Sequence, residues 1–331
     1  MQTLHLKVDP DNPNPKIIEI AAALIREGET VAFPTETVYG VGANGLDEKA
    51  VRNVFKAKGR PLKNPLLMHV MSWEQASSLV TDISEEVLLL VNRFWPGPLT
   101  LVARANDKVP PLVTAGLPTV GLRMPDHRVA LDLIKAAGVP VAATSANLSG
   151  RPSSTSARHV LKDLNGRIAG VLDAGSTGWG IESTILDITR PPFTILRPGA
   201  VSRERLEEVL PGLIAATKPG AEERSRLRAA HYRPDARVIP VKPGENLAQL
   251  AQAEAARGKR VGVVVVGDQE LPTLVDLVVV INGGSAEYGR RLYEIFRLAD
   301  SRKIEYLFME IPEETGLGVA VADRIYEAAR R

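Results

Sequence analysis

The sequence predicts a mixed α/β fold followed by a second, smaller α/β domain with a parallel sheet. Apolar runs of strand length alternate with segments of helical period along most of the 331 residues. Around residues 169–199, three strand-like runs follow one another with no room for helices, so we expect the sheet there to be partly antiparallel. A segment dense in charge, Pro and Gly then separates this region from a new alternation of strands and helices.

The elements of the first domain follow from these patterns. Ser84 and Ser156 are candidate N-caps for two of its helices. Helices are predicted at "PKIIEIAAALIREGE", "EKAVRNVFKAKG", "SEEVLLLVNRFW", "HRVALDLIKAAG" and "SARHVLKDLNG". Strands are predicted at "TVAFP", "LLMHV", "LTLVAR", "TVGLRM", "PVAAT", "AGVLDAG", "STILDI" and "FTILRPG".

The second domain alternates helices with strands that are apolar throughout, which is typical of a small parallel sheet covered on both faces. Its strands are predicted at "ARVIPV", "VGVVVVG", "LVDLVVVIN" and "YLFMEIP". Its helices are predicted at "ENLAQLAQAEAARGKR", "EYGRRLYEIFRLADSRK" and "GVAVADRIYEAARR".

Composition limits the classes of function. A formal charge of +2 is far from the strongly basic balance of a protein that coats nucleic acid, so we expect any phosphate binding to be local. The sequence has no cysteine, which excludes disulfides, thiolate metal sites and cysteine nucleophiles and fits a reducing compartment. The N-terminal stretch lacks the pattern of a secretory signal, and the longest apolar runs are too short to span a membrane. We therefore predict a cytoplasmic protein.

Several familiar motifs are weak or missing. "GVGANG" at residues 40–45 fits the dinucleotide-binding pattern, but no acidic residue follows about twenty positions later, so we interpret it as a glycine-rich turn. The sequence has no Walker loop, its five histidines show no close ligand spacing, and Ser145 is not in a G-x-S-x-G elbow. Protein-held catalytic metal and triad hydrolysis are both disfavoured.

One basic stretch requires an explanation. "KAKGRPLKNP" at residues 56–65 places four cations, Lys56, Lys58, Arg60 and Lys63, in eight positions without any acidic partner. Either water or a multiply charged anion must compensate this charge.

Polar residues also stand at or near the carboxyl ends of predicted strands, where open α/β sheets bind ligands. Each has a purely structural alternative: Thr35 could be a turn residue, Ser145 a helix cap, and Arg123 the partner of Asp126. So many such places in one region nevertheless favour a binding site. They are found in "FPTETVYG", "MHV", "GLRMP", "ATSANLSGRPSS", "GIESTI" and "LRPGA".

Together these motifs resemble those of the YrdC domain, in the same order. The segments that carry the resemblance are "PTETVYGVGAN", "KAKGRPLKNPLLMHV", "FWPGPLTLV", "GLRMPDH", "ATSANLSGRPSSTSA" and "GIESTILDI". The remainder of the chain resembles the long members of that family, the threonylcarbamoyl-AMP synthases with an added C-terminal domain. One departure is that "SRLRAAHYRP" lacks the methionine and the additional aromatic residue that usually precede "HYxP" in this family, although His231, Tyr232 and Pro234 are present.

The resemblance implies the domain organisation and the fold. A YrdC-like catalytic domain with a twisted mixed sheet would span residues 13–199, and a linker that could act as an active-site lid would span residues 200–237. A small Rossmann-like parallel α/β domain would span residues 238–331.

The resemblance also implies a nucleotidyltransferase reaction, in which L-threonine, bicarbonate and ATP give threonylcarbamoyl-AMP and pyrophosphate for tRNA modification. Mg²⁺ would be carried with ATP and not held by protein side chains. Docking to the downstream threonylcarbamoyl transferase and indirect or weak tRNA contact are further expectations, and no membrane contact is expected.

The resemblance assigns roles to individual residues. Lys58 and Arg60 would be catalytic, holding the triphosphate and bicarbonate. L-threonine would contact Thr35, His69, Arg123, Ala143, Thr144 and Ser183. ATP would contact Arg60, Asn64, Thr119, Ser145, Asn147, Ser153, Arg197 and Tyr232. In that arrangement Arg123 is the natural guanidinium for the substrate carboxylate.

Two other classes of function remain open. An RNA-binding module could use a basic face made by Lys56, Lys58, Arg60, Lys63, Arg151 and Arg158, but the basic stretch contains no aromatic residue to stack on a base. The chain could also be a regulatory domain that senses a nucleotide without turning it over.

Overall fold

The computed structural model describes residues 2–215, 232–269 and 271–330. The chain divides into two compact units. The first comprises Met1–Ser149, Ser153–Gly178 and Glu182–Ala229. The second comprises Ala230–Arg331 together with the short segments Gly150–Pro152 and Trp179–Ile181. No helix in the described residues is long and apolar enough to cross a membrane.

The first unit confirms the predicted mixed α/β architecture. Its strands are β1 (Leu4–Lys7), β2 (Val31–Phe33), β3 (Gly40–Asn44), β4 (Leu67–His69), β5 (Val80–Thr81), β6 (Leu99–Ala105), β7 (Thr119–Arg123), β8 (Val141–Ser145), β9 (Gly170–Asp173), β10 (Thr184–Asp187) and β11 (Thr194–Arg197). Its helices are α1 (Pro15–Arg26), α2 (Glu48–Lys58), α3 (Trp73–Ser77), α4 (Glu85–Phe94), α5 (Pro111–Thr114), α6 (Arg128–Ala137), α7 (Ala157–Leu164) and α8 (Arg203–Val209).

The helices begin and end where local chemistry favours it. Asp47 caps α2 by accepting from the Lys49 N–H, and Gly59 ends the helix in the left-handed region. Ser156 caps α7 as predicted, whereas the Ser84 hydroxyl makes no capping hydrogen bond at α4.

The strands of this unit form one mixed sheet in the order β1-β9-β2-β3-β8-β4-β7-β6-β10-β11, with β5 paired to β6. The β10–β11 pair is antiparallel, which confirms that part of the prediction. However, β9 is not their neighbour, because it pairs in parallel with β1 and β2 on the other side of the sheet. The segment after β9 therefore crosses most of the sheet without forming a helix.

The segment 40–45 is mainly the strand β3, so its interpretation as a turn is wrong. Its glycines are required by close packing within the sheet. A Cβ atom on Gly42 would lie 2.6 Å from Val141 Cγ1 and 2.7 Å from the Cβ of Ala143. Glycine was thus a sign of strand-to-strand proximity and not of a turn.

We expect Gly42→Ala to destabilise the first unit by about 1–3 kcal/mol, because the added methyl must displace backbone and side chains of β8. Chemical denaturation of the full chain measures this change. Gly178→Ala is the matched control, since its Cβ would meet nothing closer than the Glu36 carbonyl oxygen at 3.7 Å. Equal stabilities of the two variants would contradict this packing argument.

The first part of the predicted linker is packed within the first unit. Residues 200–215 follow β11 directly, and α8 contributes to the main core of the first unit through Leu206, next to Val201, Leu210 and Ile214. The rest of the predicted linker up to residue 231, including Arg224, Arg226, Arg228 and His231, lies outside the described residues.

The second unit confirms the predicted parallel sheet. Its strands β12 (Arg237–Val241), β13 (Val261–Val266), β14 (Leu277–Ile281) and β15 (Tyr306–Glu310) are all parallel, in the order β12-β15-β13-β14. Its helices are α9 (Leu247–Ala255), α10 (Gly284–Ser301) and α11 (Leu317–Ala329). Val263 packs with Leu247 and Ala251 of α9 in one core cluster. Val264, which points to the opposite face, is also fully buried.

Candidate functional site

The register of the first sheet places many of the predicted side chains on one face. Residues directly opposite in neighbouring strands share a face, and so do residues two apart in one strand. Gly42 pairs with Ala143, Ala143 with Leu67, and Leu67 with Gly121. We call this side of the sheet the glycine face; it also carries His69, Thr119, Arg123, Ser145 and Arg197.

Thr144 is an exception. It pairs with Val41 and so lies on the opposite face, which holds the main core. Only its main chain can serve the glycine face, consistent with the main-chain role expected near Ala143 and Thr144.

Arg123 provides a buried cation at the end of β7. Its side chain is 5% exposed, and its guanidinium lies 2.7 Å from Oε1 of Glu36, whose side chain is 10% exposed. The contact is an ion pair without hydrogen-bond alignment, since Arg123 NH2 and both Glu36 oxygens lack a hydrogen bond among the described residues. The alternative of Asp126 as the partner of Arg123 is therefore wrong.

His69 lies beside Arg123, because the two residues pair directly between β4 and β7. Burial, and then the positive charge of Arg123, lower the pKa of His69 to about 3, so the imidazole is neutral. The ring packs edge-on against Phe33, with 5.8 Å between centroids. A neutral histidine can donate and accept without adding to the charge of Arg123.

Thr35 shapes the loop that carries Glu36. Its Oγ1 accepts from the Thr37 N–H at 3.1 Å and donates to the Val38 carbonyl at 2.7 Å. Thr35 is therefore a turn residue, as its structural alternative predicts. The same turn holds Glu36 next to Arg123.

Ser183 and Arg197 form a second group on adjacent elements. Arg197 NH2 donates to the Ser183 carbonyl at 2.8 Å and to its Oγ at 3.2 Å. The Ser183 hydroxyl also contacts Thr100 Oγ1 at 2.8 Å. Gly199 allows its own segment to lie close to the Ser183 main chain, because a Cβ on Gly199 would lie 2.3 Å from the Ser183 carbonyl carbon.

Lys58 ends α2 with its ammonium group buried. Its Nζ donates to the carbonyl of Ser145 and, at 2.6 Å, to that of Asn147. Burial, and then the charge of Arg60, lower the pKa of Lys58 well below its usual value, while Asp163 opposes that shift. Lys58 therefore holds the loop after β8 in place, and it is not part of an exposed basic face for RNA.

Arg60 and Asn64 belong to the same basic stretch. Arg60 is half-buried and donates to the carbonyls of Asn64 at 3.1 Å and Pro65 at 2.9 Å. Asn64 is buried, and its Nδ2 has no hydrogen-bond acceptor in the parts of the chain described. Lys56 and Lys63 are exposed, so water compensates these two charges.

The other predicted nucleotide contacts each have partners of their own in the structure. Ser153 is buried and its Oγ hydrogen-bonds Glu182 at 2.7 Å. Asn147 is buried and its Nδ2 donates to the Leu148 carbonyl at 2.8 Å. Tyr232 belongs to the second unit, where it stacks on Tyr293 at 5.4 Å and lies 5.2 Å from the Arg324 guanidinium.

Sequence reasoning missed three acids that contact or influence predicted site residues: Glu36 at Arg123, Glu182 at Ser153 and Asp163 near Lys58. Glu36 and Glu182 stand in the segments "FPTETVYG" and "GIESTI", which the sequence analysis singles out for their other residues. In all three cases the acid lies far along the chain from the residue that it contacts or influences.

Comparison with known proteins places these features in a family. The family described as Sua5_yciO_yrdC, telomere recombination, matches residues 23–199, and the threonylcarbamoyl-AMP synthase C-terminal domain matches residues 201–330. A threonylcarbamoyl-AMP synthase of Pyrococcus abyssi is 43% identical, with 94% of each chain covered. One of Bacillus subtilis is 41% identical, with 96% of this chain and 93% of the relative covered.

A solved structure agrees with this assignment. The crystal structure of P. abyssi Sua5 complexed with L-threonine is 41% identical to this chain and has a TM-score of 0.90, with 99% of this chain and 98% of the other covered. With both of its domains matched, this chain belongs to the Sua5/YciO/YrdC family and has the C-terminal domain of the threonylcarbamoyl-AMP synthases.

Proposed function

We propose that the chain is an L-threonylcarbamoyladenylate synthase, which forms threonylcarbamoyl-AMP and pyrophosphate from L-threonine, bicarbonate and ATP. The observation that carries the proposal is the buried Arg123 guanidinium beside a neutral His69 on the glycine face. This arrangement suits a small carboxylate. The names of the relatives that match both domains support the same conclusion.

The amino acid would bind at Arg123. A guanidinium offers two parallel donors to a carboxylate, and burial strengthens that interaction. His69, Thr35 and Ser183, with the main chain near Ala143 and Thr144, would surround the rest of the substrate.

The nucleotide would bind next to the loop that Lys58 holds. Arg60, Asn64, Thr119, Ser145, Asn147, Ser153, Arg197 and Tyr232 remain the proposed contacts. An anionic carbamate must attack the α-phosphorus of an anionic nucleotide, so positive charge near the phosphates lowers the barrier. Lys58 would act by fixing the carbonyls of Ser145 and Asn147, with Arg60 closer to the phosphates.

Mg²⁺ would arrive with ATP as part of the substrate. In the described residues, no three His, Asp or Glu side chains are grouped so that they could hold a metal ion. The phosphate oxygens of ATP are suitable ligands for this hard cation.

The product would serve the modification of tRNA, through a downstream transferase that could dock to this enzyme. Contact with tRNA itself would be indirect or weak. The lack of cysteine suits the cytoplasm, where this modification would take place.

Exchange of labelled pyrophosphate into ATP tests the proposal. We expect exchange that requires both L-threonine and bicarbonate, because the attacking carbamate forms only from the two together. A regulatory nucleotide sensor would bind ATP without exchange, and an RNA-binding module would show neither property. Exchange that is absent with all substrates present would contradict the proposed function.

We expect L-serine to be a poor but detectable substrate. The two amino acids differ by one methyl group, and a pocket gains only about 1–3 kcal/mol from a methyl, so kcat/KM should fall roughly 10- to 200-fold. Parallel measurements of threonylcarbamoyl-AMP and serylcarbamoyl-AMP formation give the ratio. Equal specificity constants would count against a pocket shaped for the methyl group.

A further inference from the structure

Glu36 is an acid with an unusual environment. Its side chain is nine-tenths buried, and its Oε1 lies 2.7 Å from the Arg123 guanidinium. Neither carboxylate oxygen receives a hydrogen bond from the described residues. Buried carboxylates normally accept several hydrogen bonds, so Glu36 retains acceptor capacity at the point where the substrate carboxylate would bind.

An amino acid carries both charges that this pair offers to bind. Its carboxylate can take the Arg123 guanidinium, and its ammonium group, on the adjacent carbon, then lies close to the acid that previously faced Arg123. The insertion exchanges one ion pair for two. The negative charge of Glu36 is then balanced by the substrate ammonium group while Arg123 binds the substrate carboxylate.

We propose, building on the function above, that Glu36 binds the α-ammonium group of L-threonine and takes its proton, acting as the general base for carbamate formation. The ammonium form has no lone pair and cannot attack carbon. One N–H proton moves to a Glu36 oxygen, which leaves a neutral amine and a neutral carboxyl group.

The remaining atoms balance without another reactant. The amine nitrogen forms a bond to the bicarbonate carbon, a C–O bond breaks, and the departing hydroxide takes the second N–H proton to leave as water. The product is the carbamate anion that attacks ATP. Glu36 gives its proton to solvent when the product leaves.

The neighbouring titratable groups are less suited to this role. Burial lowers the pKa of His69 to about 3, so it is a weak base. His127 uses its Nδ1 to accept from the Val129 N–H at 3.2 Å as the N-cap of α6. The charge of Glu36 affects the pKa values of Asp126 and His127. Of the two acids, Glu36 is the one in contact with Arg123.

Two assays on the full chain test this role. The forward assay follows threonylcarbamoyl-AMP formation from L-threonine, bicarbonate and Mg·ATP over a range of pH. The reverse assay follows ATP formation from synthetic threonylcarbamoyl-AMP and pyrophosphate. The nitrogen of threonylcarbamoyl-AMP is already part of a carbamate and carries no ammonium proton. A general base for the amine is needed only in the forward direction.

We expect Glu36→Gln to lower the forward kcat at neutral pH at least about a hundredfold. The reverse rate should stay within about threefold of wild type. The forward rate of this variant should rise with pH as the substrate amine loses its proton in solution. Glu36→Asp, which keeps a carboxylate, should show an intermediate loss. Asp126→Asn is the matched control and should resemble wild type in both assays.

A forward kcat of Glu36→Gln within about threefold of wild type at neutral pH would overturn the proposal. So would an equal loss in both directions, since that would mark a structural role. If the wild-type chain were inactive in both directions, the proposed function itself would be wrong, and this inference with it.

Discussion

Lys58→Ala is expected to lower the turnover number at least tenfold, a loss of more than about 1.4 kcal/mol of transition-state stabilisation. The Lys58 ammonium donates to the carbonyls of Ser145 and Asn147, and its side chain is buried. Its removal takes one hydrogen-bond donor from each carbonyl and releases the loop that would carry the nucleotide contacts. Steady-state rates at saturating ATP, threonine and bicarbonate measure the effect.

Lys56→Ala is the matched control, because Lys56 is two residues earlier on the same helix and is exposed. Its turnover number should remain close to wild type. Arg60→Ala should lose at least about tenfold, since Arg60 would contact phosphate directly. Wild-type rates for both Lys58→Ala and Arg60→Ala would contradict the role given to this stretch.

Arg123→Gln should have the largest effect on the amino acid. We expect the KM for L-threonine to rise at least about a hundredfold, because the variant loses the charged donors for the substrate carboxylate. It should also lose roughly 3–5 kcal/mol of stability, since Glu36 is left as a buried carboxylate without its ion-pair partner. Threonine titrations and chemical denaturation measure the two effects separately.

The double variant Glu36→Gln, Arg123→Gln separates the two effects. It removes both buried charges, so we expect it to recover much of the stability lost by Arg123→Gln alone. It should not recover threonine binding. Recovery of binding would show that Arg123 only neutralises Glu36.

The sequence was sufficient to predict most helices and strands and the parallel second sheet. Strand length, apolar runs and turn residues are local properties, and elements such as β13 or α2 follow from them. β3 was missed because its glycines suit a turn equally well when only neighbouring residues are considered. For Gly42 the cause lies in β8, about a hundred residues away.

For the candidate site, the sequence predicts residues but not most of the contacts that these residues make in the structure. Arg123, His69 and Lys58 were identified as polar residues in apolar or acid-free surroundings. The acid facing Arg123 was not identified, because Asp126 is nearer in sequence and Glu36 only becomes a neighbour through the sheet order. Likewise, the carbonyls that accept hydrogen bonds from Lys58 lie at the end of β8 and in the loop after it, far from Lys58 in the sequence.

The linker shows the same limit. Its first residues are charged and look like a tether, yet Leu206, Leu210 and Ile214 lie in the main core. Truncation after Gly199 would remove these side chains. We therefore do not expect that truncation to leave an intact first unit.

Mass spectrometry can detect threonylcarbamoyl-AMP itself after incubation with isotopically labelled bicarbonate, L-threonine and Mg·ATP. We expect a product that carries the label in its carbamate carbon and forms together with one equivalent of pyrophosphate, only when all three substrates are present. Pyrophosphate release that does not depend on threonine, or an adenylate without the labelled carbon, would contradict the proposed function.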